Sequence, residues 1–275
     1  MSDAESSARD EADYKIRGHS ELVVLLGASE GIRAVTKKLV LLDGVVRARR
    51  GVFIVESHSS EYLSLIEDIP HVSLVKTREI PAARTQQEDP PVARAFSVLS
   101  YSFKNPSSKQ KKRVERLVRR SVSVRLRPGV LIFPVLRAKE KRRLLEPEGT
   151  PSLLDSRKLG VELSSMGGNV LRWSRLRLSS QDGPALVTQA VERTLSGDLF
   201  QIESKLKDLR ERIKNSETST KTISTRYRLL ARRFREVRFK WERAGKIWRY
   251  NPSKKLKRTY NMLLSVRRYF ETRID

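Results

Sequence analysis

Hydrophobic and polar positions follow three rhythms along this chain, and each predicts a different kind of element. The longest rhythm is helical. From Leu195 onward, apolar or neutral residues recur at spacings of four and three: Leu199, Ile202, Leu206, Leu209, Ile213, then Ser216 and Thr220, then Ile223, Tyr227, Leu230, Phe234, Val237, Trp241, Ala244 and Trp248. That is an a/d heptad seam. Two readings compete across the polar stretch 215–222. The seam stays in phase, which favours one helix of about 80 Å at 1.5 Å per residue. The poor helix propensity of residues 215–220 favours a turn, and with it an antiparallel hairpin with the same residues inward. The hairpin is preferred. Asn251-Pro252 ends the second segment and caps a third helix, on which Leu256, Tyr260, Leu263 and Phe270 share a face.

The second rhythm, short apolar runs alternating with helical spacing, fills residues 21–80. Residues 22–26, 52–55 and 72–75 read as buried strands. Ile32, Val35, Leu39 and Leu42 mark a helix over 28–42, and Tyr62, Leu65, Ile66 and Ile69 mark another over 60–69. The order β-α-β-α-β predicts a small α/β sandwich. Residues 81–120 lose this pattern. Pro81, Pro90, Pro91 and Pro106 mark a linker, 92–103 offers one strand, and 109–120 forms a short helix on the stripe Val114, Leu117 and Val118.

The third rhythm is strict alternation. Between 121 and 180, strands are predicted over 121–126, 129–136, 159–163 and 170–178, around the turn Met166-Gly167-Gly168-Asn169. Four or five short strands in so small a region predict a small β barrel or curled sheet, with Arg172, Arg175 and Arg177 along an exposed edge. Gln181-Asp182-Gly183-Pro184 then starts a helix over 185–195, and the tail begins after Ser196-Gly197. The expected class is therefore α+β. Its parts are a disordered acidic leader (1–20), a small α/β domain (21–80), a linker with a basic helix (81–120), a β-rich module (121–180) and a basic helical hairpin or coiled coil (185–275).

Charge changes this picture from architecture to partner. The 275 residues carry a formal net charge of +25. A field of that size draws polyanions by counterion release, so nucleic acid, DNA or RNA, is the leading partner class and an acidic membrane surface the second. The tail carries seventeen Lys or Arg against two Glu between Lys221 and Phe270. The candidate phosphate-binding residues are Lys109, Lys111, Lys112, Arg113, Arg116, Arg119 and Arg120 on the first basic helix and Arg172, Arg175 and Arg177 in the β module. In the tail they are Arg232, Arg233, Arg235, Arg238, Lys240, Arg249, Lys254, Lys255, Lys257 and Arg258. Lys and Arg at these spacings cover a backbone path without reading bases, so affinity with little sequence preference is expected. The seam aromatics Tyr227, Phe234, Trp241 and Trp248 read as core, whereas Tyr250, Tyr260 and Tyr269 are placed to stack on exposed bases.

Other chemistry is thinner. The chain has no cysteine and three histidines, which removes disulfides and thiolate sites and leaves no convincing zinc set. No cofactor is expected, and no apolar run reaches the roughly 18 residues of a membrane span. A soluble, cytoplasmic protein is expected. No Ser, His and Asp arrangement or carboxylate pair argues for catalysis. Gly27-Ala28-Ser29-Glu30-Gly31-Ile32 looks like the glycine-rich turn of the short-chain dehydrogenases, with a nominal Tyr-x-x-x-Lys at Tyr250 and Lys254. Arg33 stands where the third glycine belongs, and Asn251-Pro252 interrupts the second motif, so a nucleotide-dependent enzyme is the minor alternative.

A broader resemblance covers two regions. Arg50-Gly51-Val52-Phe53-Ile54-Val55-Glu56, the helix near 62–69 and Pro70-His71-Val72 resemble the second half of the NGN domain of the NusG family of transcription elongation factors. The β-rich module is similar in size and order to the SH3-like KOW domain that follows NGN in that family. Val52 replaces the usual aromatic, and Arg127-Pro128-Gly129 stands near the place of the Gly-Pro-Phe-x-Gly turn. The resemblance implies an apolar groove that docks on the RNA polymerase clamp. Taken together, the expectation is a non-enzymatic nucleic-acid-binding protein tied to RNA polymerase or the ribosome. The alternative is a coiled-coil scaffold for an acidic protein partner.

Overall fold

The computed structural model of the chain describes residues 20–26, 29–56, 61–78, 95–146, 152–215 and 219–271, which fall in two units, Met1–Ala190 and Val191–Asp275. Residues 1–19 of the acidic leader, most of the proline-rich linker and the Gly27-Ala28 turn lie outside the described residues, whereas Ser20, expected in the leader, opens the first strand.

In the first unit, the β-branched and aromatic runs form eight strands among the described residues: β1 (Ser20–Leu25), β2 (Val45–Arg49), β3 (Val52–Glu56), β4 (His71–Lys76), β5 (Phe96–Ser102), β6 (Val124–Arg127), β7 (Val130–Pro134) and β8 (Asn169–Leu178). The helices between them are α1 (Ser29–Leu39), α2 (Glu61–Ile66), α3 (Ser108–Arg119), α4 (Ala138–Leu145) and α5 (Ser156–Ser165). All eight strands belong to one antiparallel sheet in the order β2-β3-β1-β4-β8-β5-β7-β6. Each half has the order β-α-β-β-α-β, with α4 added in the second. That is the ferredoxin-like arrangement. The strand order reads the same from either end, so the halves are related by a pseudo-twofold through the β4–β8 pair.

The repeat is visible in sequence once the structure aligns it. Val46, Arg47, Arg49, Gly51, Val52 and Ile54 recur at constant offset as Val124, Arg125, Arg127, Gly129, Val130 and Ile132. Both hairpins shift register at the same place, between Arg47 and Arg49 and between Arg125 and Arg127. Both turn on a left-handed glycine, Gly51 at φ 69° and Gly129 at φ 77°.

Packing follows the pleat. In the first half Val23, Leu25, Phe53 and Val55 meet Ile32 and Leu39 of α1 and Tyr62 and Ile66 of α2. In the second, Gly160 lets α5 lie close over Leu99 and Val170. The registers keep these two helix-bearing faces on the same side, because Leu74 pairs with Leu178 and Phe96 with Leu176. The opposite face is also buried, at Leu22, Val24, Val52, Leu74, Phe96, Val98, Ile132 and Trp173. Curling of the sheet accounts for this. Arg127 Nη1 donates to the Leu25 carbonyl at 2.9 Å, although β6 and β1 stand five spacings apart in the strand order, roughly 24 Å in a flat sheet. The curl turns the helix-free face inward and brings the two hairpin turns together.

Several expectations are corrected here. The region 121–180 is not a barrel of its own: its strands complete the shared sheet, and β8 is central, so Arg172, Arg175 and Arg177 do not lie on an edge. Residues 159–163 are helical. Asp155 caps α5 by accepting the Lys158 N–H at 2.8 Å, and Ser156, Leu159, Gly160 and Leu163 face inward at helical spacing. Strand β2 and helix α4 had no expected counterpart. No break occurs at Ser196-Gly197, since α6 (Gly183–Lys214) runs through it.

In the second unit, the remainder of α6 packs with α7 (Thr220–Trp248) and α8 (Ser253–Glu271). Helices α6 and α7 are antiparallel: Lys240 and Trp241 both donate to Asp198, and Arg233 to Gln201. The expected hairpin is therefore the one formed, with Ser219 capping α7. Helix α8 runs parallel to α6, through Lys255 to Glu192 and Thr259 to Glu203, both at 2.7 Å. The seam residues Leu199, Ile202, Leu206, Leu209, Ile213, Ile223, Leu230, Phe234, Val237, Trp241, Ala244 and Trp248 are buried.

Candidate nucleic-acid interface

Helix α3 presents the cleanest cationic face. Val114 and Leu117 anchor it inward, the Ser107 hydroxyl accepts the Gln110 N–H, and the Gln110 side chain donates to the Met166 carbonyl at 2.8 Å. That orientation leaves Lys109, Lys111, Lys112, Arg113, Arg116 and Arg120 exposed. Arg119 is half-buried and lies 3.4 Å from Glu115. On β8, Arg172, Arg175 and Arg177 are exposed. Arg175 has a left-handed φ of 56°, and its carbonyl accepts the Thr77 N–H, so the strand kinks there and re-aims its side chains.

The tail cations divide by partner. Lys240 is buried and ion-paired to Asp198 at 3.0 Å, so it is a structural cation and not a phosphate ligand. The sequence placed it among the binders because it neighbours Trp241 on the seam, where one residue of rotation decides between core and solvent. Arg232 pairs with Glu236 at 3.2 Å, Arg238 with Glu242 at 2.7 Å, and Lys255 with Glu192 at 2.7 Å and with the Ser196 hydroxyl. Arg258 lies 3.7 Å from Glu203, and Arg233 bonds Gln201. Arg249 is the left-handed C-cap of α7. Arg235, Lys254 and Lys257 are exposed. The hydrogen bond and charge of Glu242 raise the Arg238 pKa, as Glu271 does for Arg267. Among the tyrosines, Tyr260 stacks on Phe234 with centroids 6.2 Å apart, and Tyr269 takes a hydrogen bond from Arg210 at 2.8 Å. Both stay partly exposed, whereas Tyr250 is half-buried after α7.

The sequence reading missed a group on the meeting hairpins: Arg47, Arg49, Arg50, Arg125 and Arg127. Its signal was the repeated Val-Arg-x-Arg-x-Gly-Val-x-Ile. Arg127 is half-buried, and burial together with the nearby Arg50 lowers its pKa. Of the Gly27–Ile32 stretch, Gly27 and Ala28 lie outside the described residues, and a Cβ at Gly31 would meet nothing within 4 Å. A cleft of about 670 Å³ is acidic by contrast, lined by Glu21, Tyr62, Glu67, Asp68, His71 and Asp182 among others. In it the Tyr62 hydroxyl donates to Glu21 at 2.8 Å, and burial with that bond raises its pKa. A polyanion is repelled from this cleft.

No family model, curated protein or solved structure matches the chain. No described helix is long and apolar enough to cross a membrane.

Proposed function

We propose that this is a non-enzymatic nucleic-acid-binding protein that holds phosphate backbone through Arg and Lys on its helices. The observation that carries this reading is the exposed cationic face of α3 in a chain of net charge +25. Packing orients that face outward, and it carries Glu115 as its single acid. Exposed cations on α7 and α8 extend the same chemistry in the second unit. Work within a transcription or ribonucleoprotein machine, and docking on RNA polymerase as an elongation factor, rest on the NusG resemblance. The β-α-β-β-α-β order of the first half supports its NGN part. Its KOW part loses support, since residues 121–180 share the sheet.

The alternative of a coiled-coil scaffold is weakened because the seam is already buried within the chain's own helices, which leaves surface charge and the scattered exposed Phe200, Leu229, Tyr260 and Tyr269 for a partner. Fluorescence anisotropy with duplex DNA, single-stranded DNA and RNA of mixed sequence tests the proposal. Binding of all three within about tenfold, lost when Lys109, Lys112, Arg113 and Arg116 are changed together to Ser, is expected for backbone contacts. Binding of one sequence alone, or none, contradicts it.

A further inference from the structure

The cleft of about 670 Å³ in the first unit runs against the sign of the rest of the chain. Its floor is the helix-bearing face of the sheet, where Glu21 lies two residues before Val23, and the register sets Ser73 beside Val23 and His71 beside Leu25. One wall is α2 with the turn after it, which brings Leu63, Glu67, Asp68 and Ile69; the other is the entry to α6, with Asp182 and Leu186. Both walls are held without a ligand. The Tyr62 hydroxyl donates from α2 to Glu21 at 2.8 Å, and the Ser180 hydroxyl accepts the Ser73 N–H at 3.2 Å. His71 Nδ1 donates to the Ile69 carbonyl at 2.8 Å, which leaves Nε2 of the neutral ring as an acceptor.

Local structure explains part of this. Asp182 stands just before α6, where a helix N-terminus stabilises an anion, and Glu21 takes the Tyr62 bond. It does not explain why cations stay away. In a chain with 57 Lys or Arg against 32 Asp or Glu, Glu115, Glu146, Glu236, Glu242 and Glu271 each have a Lys or Arg within ion-pair distance. Glu21, Glu67, Asp68 and Asp182 have none among the described residues, and no described Lys or Arg lines the cleft. Carboxylates sharing a part-apolar cleft raise one another's cost, and a bound cation offsets it. The cleft also has the size of a small-molecule site.

The spacing of the acids says what kind of cation fits. No three His, Asp or Glu among the described residues stand close enough to hold one metal ion. The carboxylates come instead from β1, from the turn after α2 and from the start of α6, in a cleft that also presents Leu63, Ile69 and Leu186. A matching ligand carries several separated ammonium groups joined by methylenes, with the ammonium groups on carboxylates and the methylenes on apolar side chains. We propose that this cleft binds a linear aliphatic polyamine, with Glu21, Glu67, Asp68 and Asp182 as its ligands and Tyr62 holding Glu21 in place. The site stands independently of the nucleic-acid reading.

The test is calorimetric titration of the full chain, freed of nucleic acid, with spermidine, beside magnesium chloride at equal ionic strength. The net charge of +25 suppresses unspecific attraction of either cation. Saturable binding of one spermidine per chain, which magnesium does not displace, is expected. E67Q/D68N changes two exposed residues and should weaken spermidine about tenfold. L63K keeps every carboxylate and adds a cation at an exposed position of the wall, so it should weaken binding as well. E236Q/E242Q removes the same charge from the second unit and should leave the affinity unchanged. Absence of binding, displacement by magnesium on equal terms, or the same loss in E236Q/E242Q as in E67Q/D68N overturns the site. Since no nucleic acid takes part, that failure leaves the nucleic-acid reading where it stands.

Discussion

Gly51 and Gly129 are the same turn residue used twice. Each sits at positive φ, and each offers its carbonyl to the end of the neighbouring first strand of its half, to the Leu25 N–H at 2.9 Å and the Tyr101 N–H at 2.8 Å. The turns they make are what lets the two hairpins approach, so the shared sheet and its arginine contact depend on a residue without a side chain.

Gly129→Ala should therefore destabilise the first unit. The left-handed backbone costs about 1–3 kcal/mol for a residue with a Cβ, and that Cβ would also stand 2.8 Å from the Tyr101 carbonyl. Gly167→Ala is the control, with a similar φ of 78° and nothing within 4 Å of its Cβ. Urea unfolding should give a lower midpoint for Gly129→Ala than for Gly167→Ala; equal midpoints would remove the close approach from the account.

In the second unit, Asp198 accepts from both Lys240 and Trp241 Nε1, at 3.0 and 2.9 Å. Asp198→Ala leaves a buried ammonium and an indole N–H without their acceptor, a loss of about 3–5 kcal/mol. Lys240→Met strands the Asp198 carboxylate instead, but that group keeps the Trp241 N–H and is the more exposed partner, so this variant should cost less. Chemical denaturation of the two variants checks the order, and a Lys240→Met variant as unstable as Asp198→Ala would contradict it.

The sequence carried more of the second unit than of the first. Its seam is local, since residues three and four apart meet on one helix, and the periodicity from Leu199 to Trp248 named the core directly. The sheet is built from partners far apart in sequence. The edge strand β2 hid behind Arg47 and Arg49, because an edge needs only one buried face. Helix α5 read as a strand because Leu159, Val161 and Leu163 alternate, although it is Ser156, Leu159, Gly160 and Leu163 that turn inward. The shared sheet was legible only as a repeat, and the repeated turn sits between strands whose core residues differ. Lys240 and Arg235 look alike in sequence, and only packing separates a core cation from an exposed one.

Carboxylates on α7 compete with any polyanion for Arg232 and Arg238. Glu236→Gln with Glu242→Gln should release both cations, tightening nucleic-acid binding and steepening its salt slope by up to about two. Stability should change by less than about 1 kcal/mol, since these pairs are exposed. Anisotropy titrations check this, and unchanged affinity would place the bound strand away from α7.

Asp155 gives the first unit an acid-sensitive contact. Burial raises its carboxyl, but the hydrogen bonds and charges of Lys141 and Lys158 outweigh burial and hold it below its ordinary value. A depressed folded pKa means the stabilisation is fully present above the unfolded value of about 4 and is lost as pH falls through the folded one. Asp155→Asn should therefore lower stability at pH 7 and converge with the parent toward pH 2. A difference that persists unchanged at low pH would contradict the ionised contact.

The central claim is that exposed cations on these helices hold phosphate backbone, and the salt dependence of binding reads this most directly. Log affinity for a mixed-sequence duplex should fall linearly with log salt with a slope steeper than about −3, shallower by about three to four when Lys109, Lys112, Arg113 and Arg116 are all changed to Ser. A slope near zero, or one the fourfold variant leaves untouched, would contradict it.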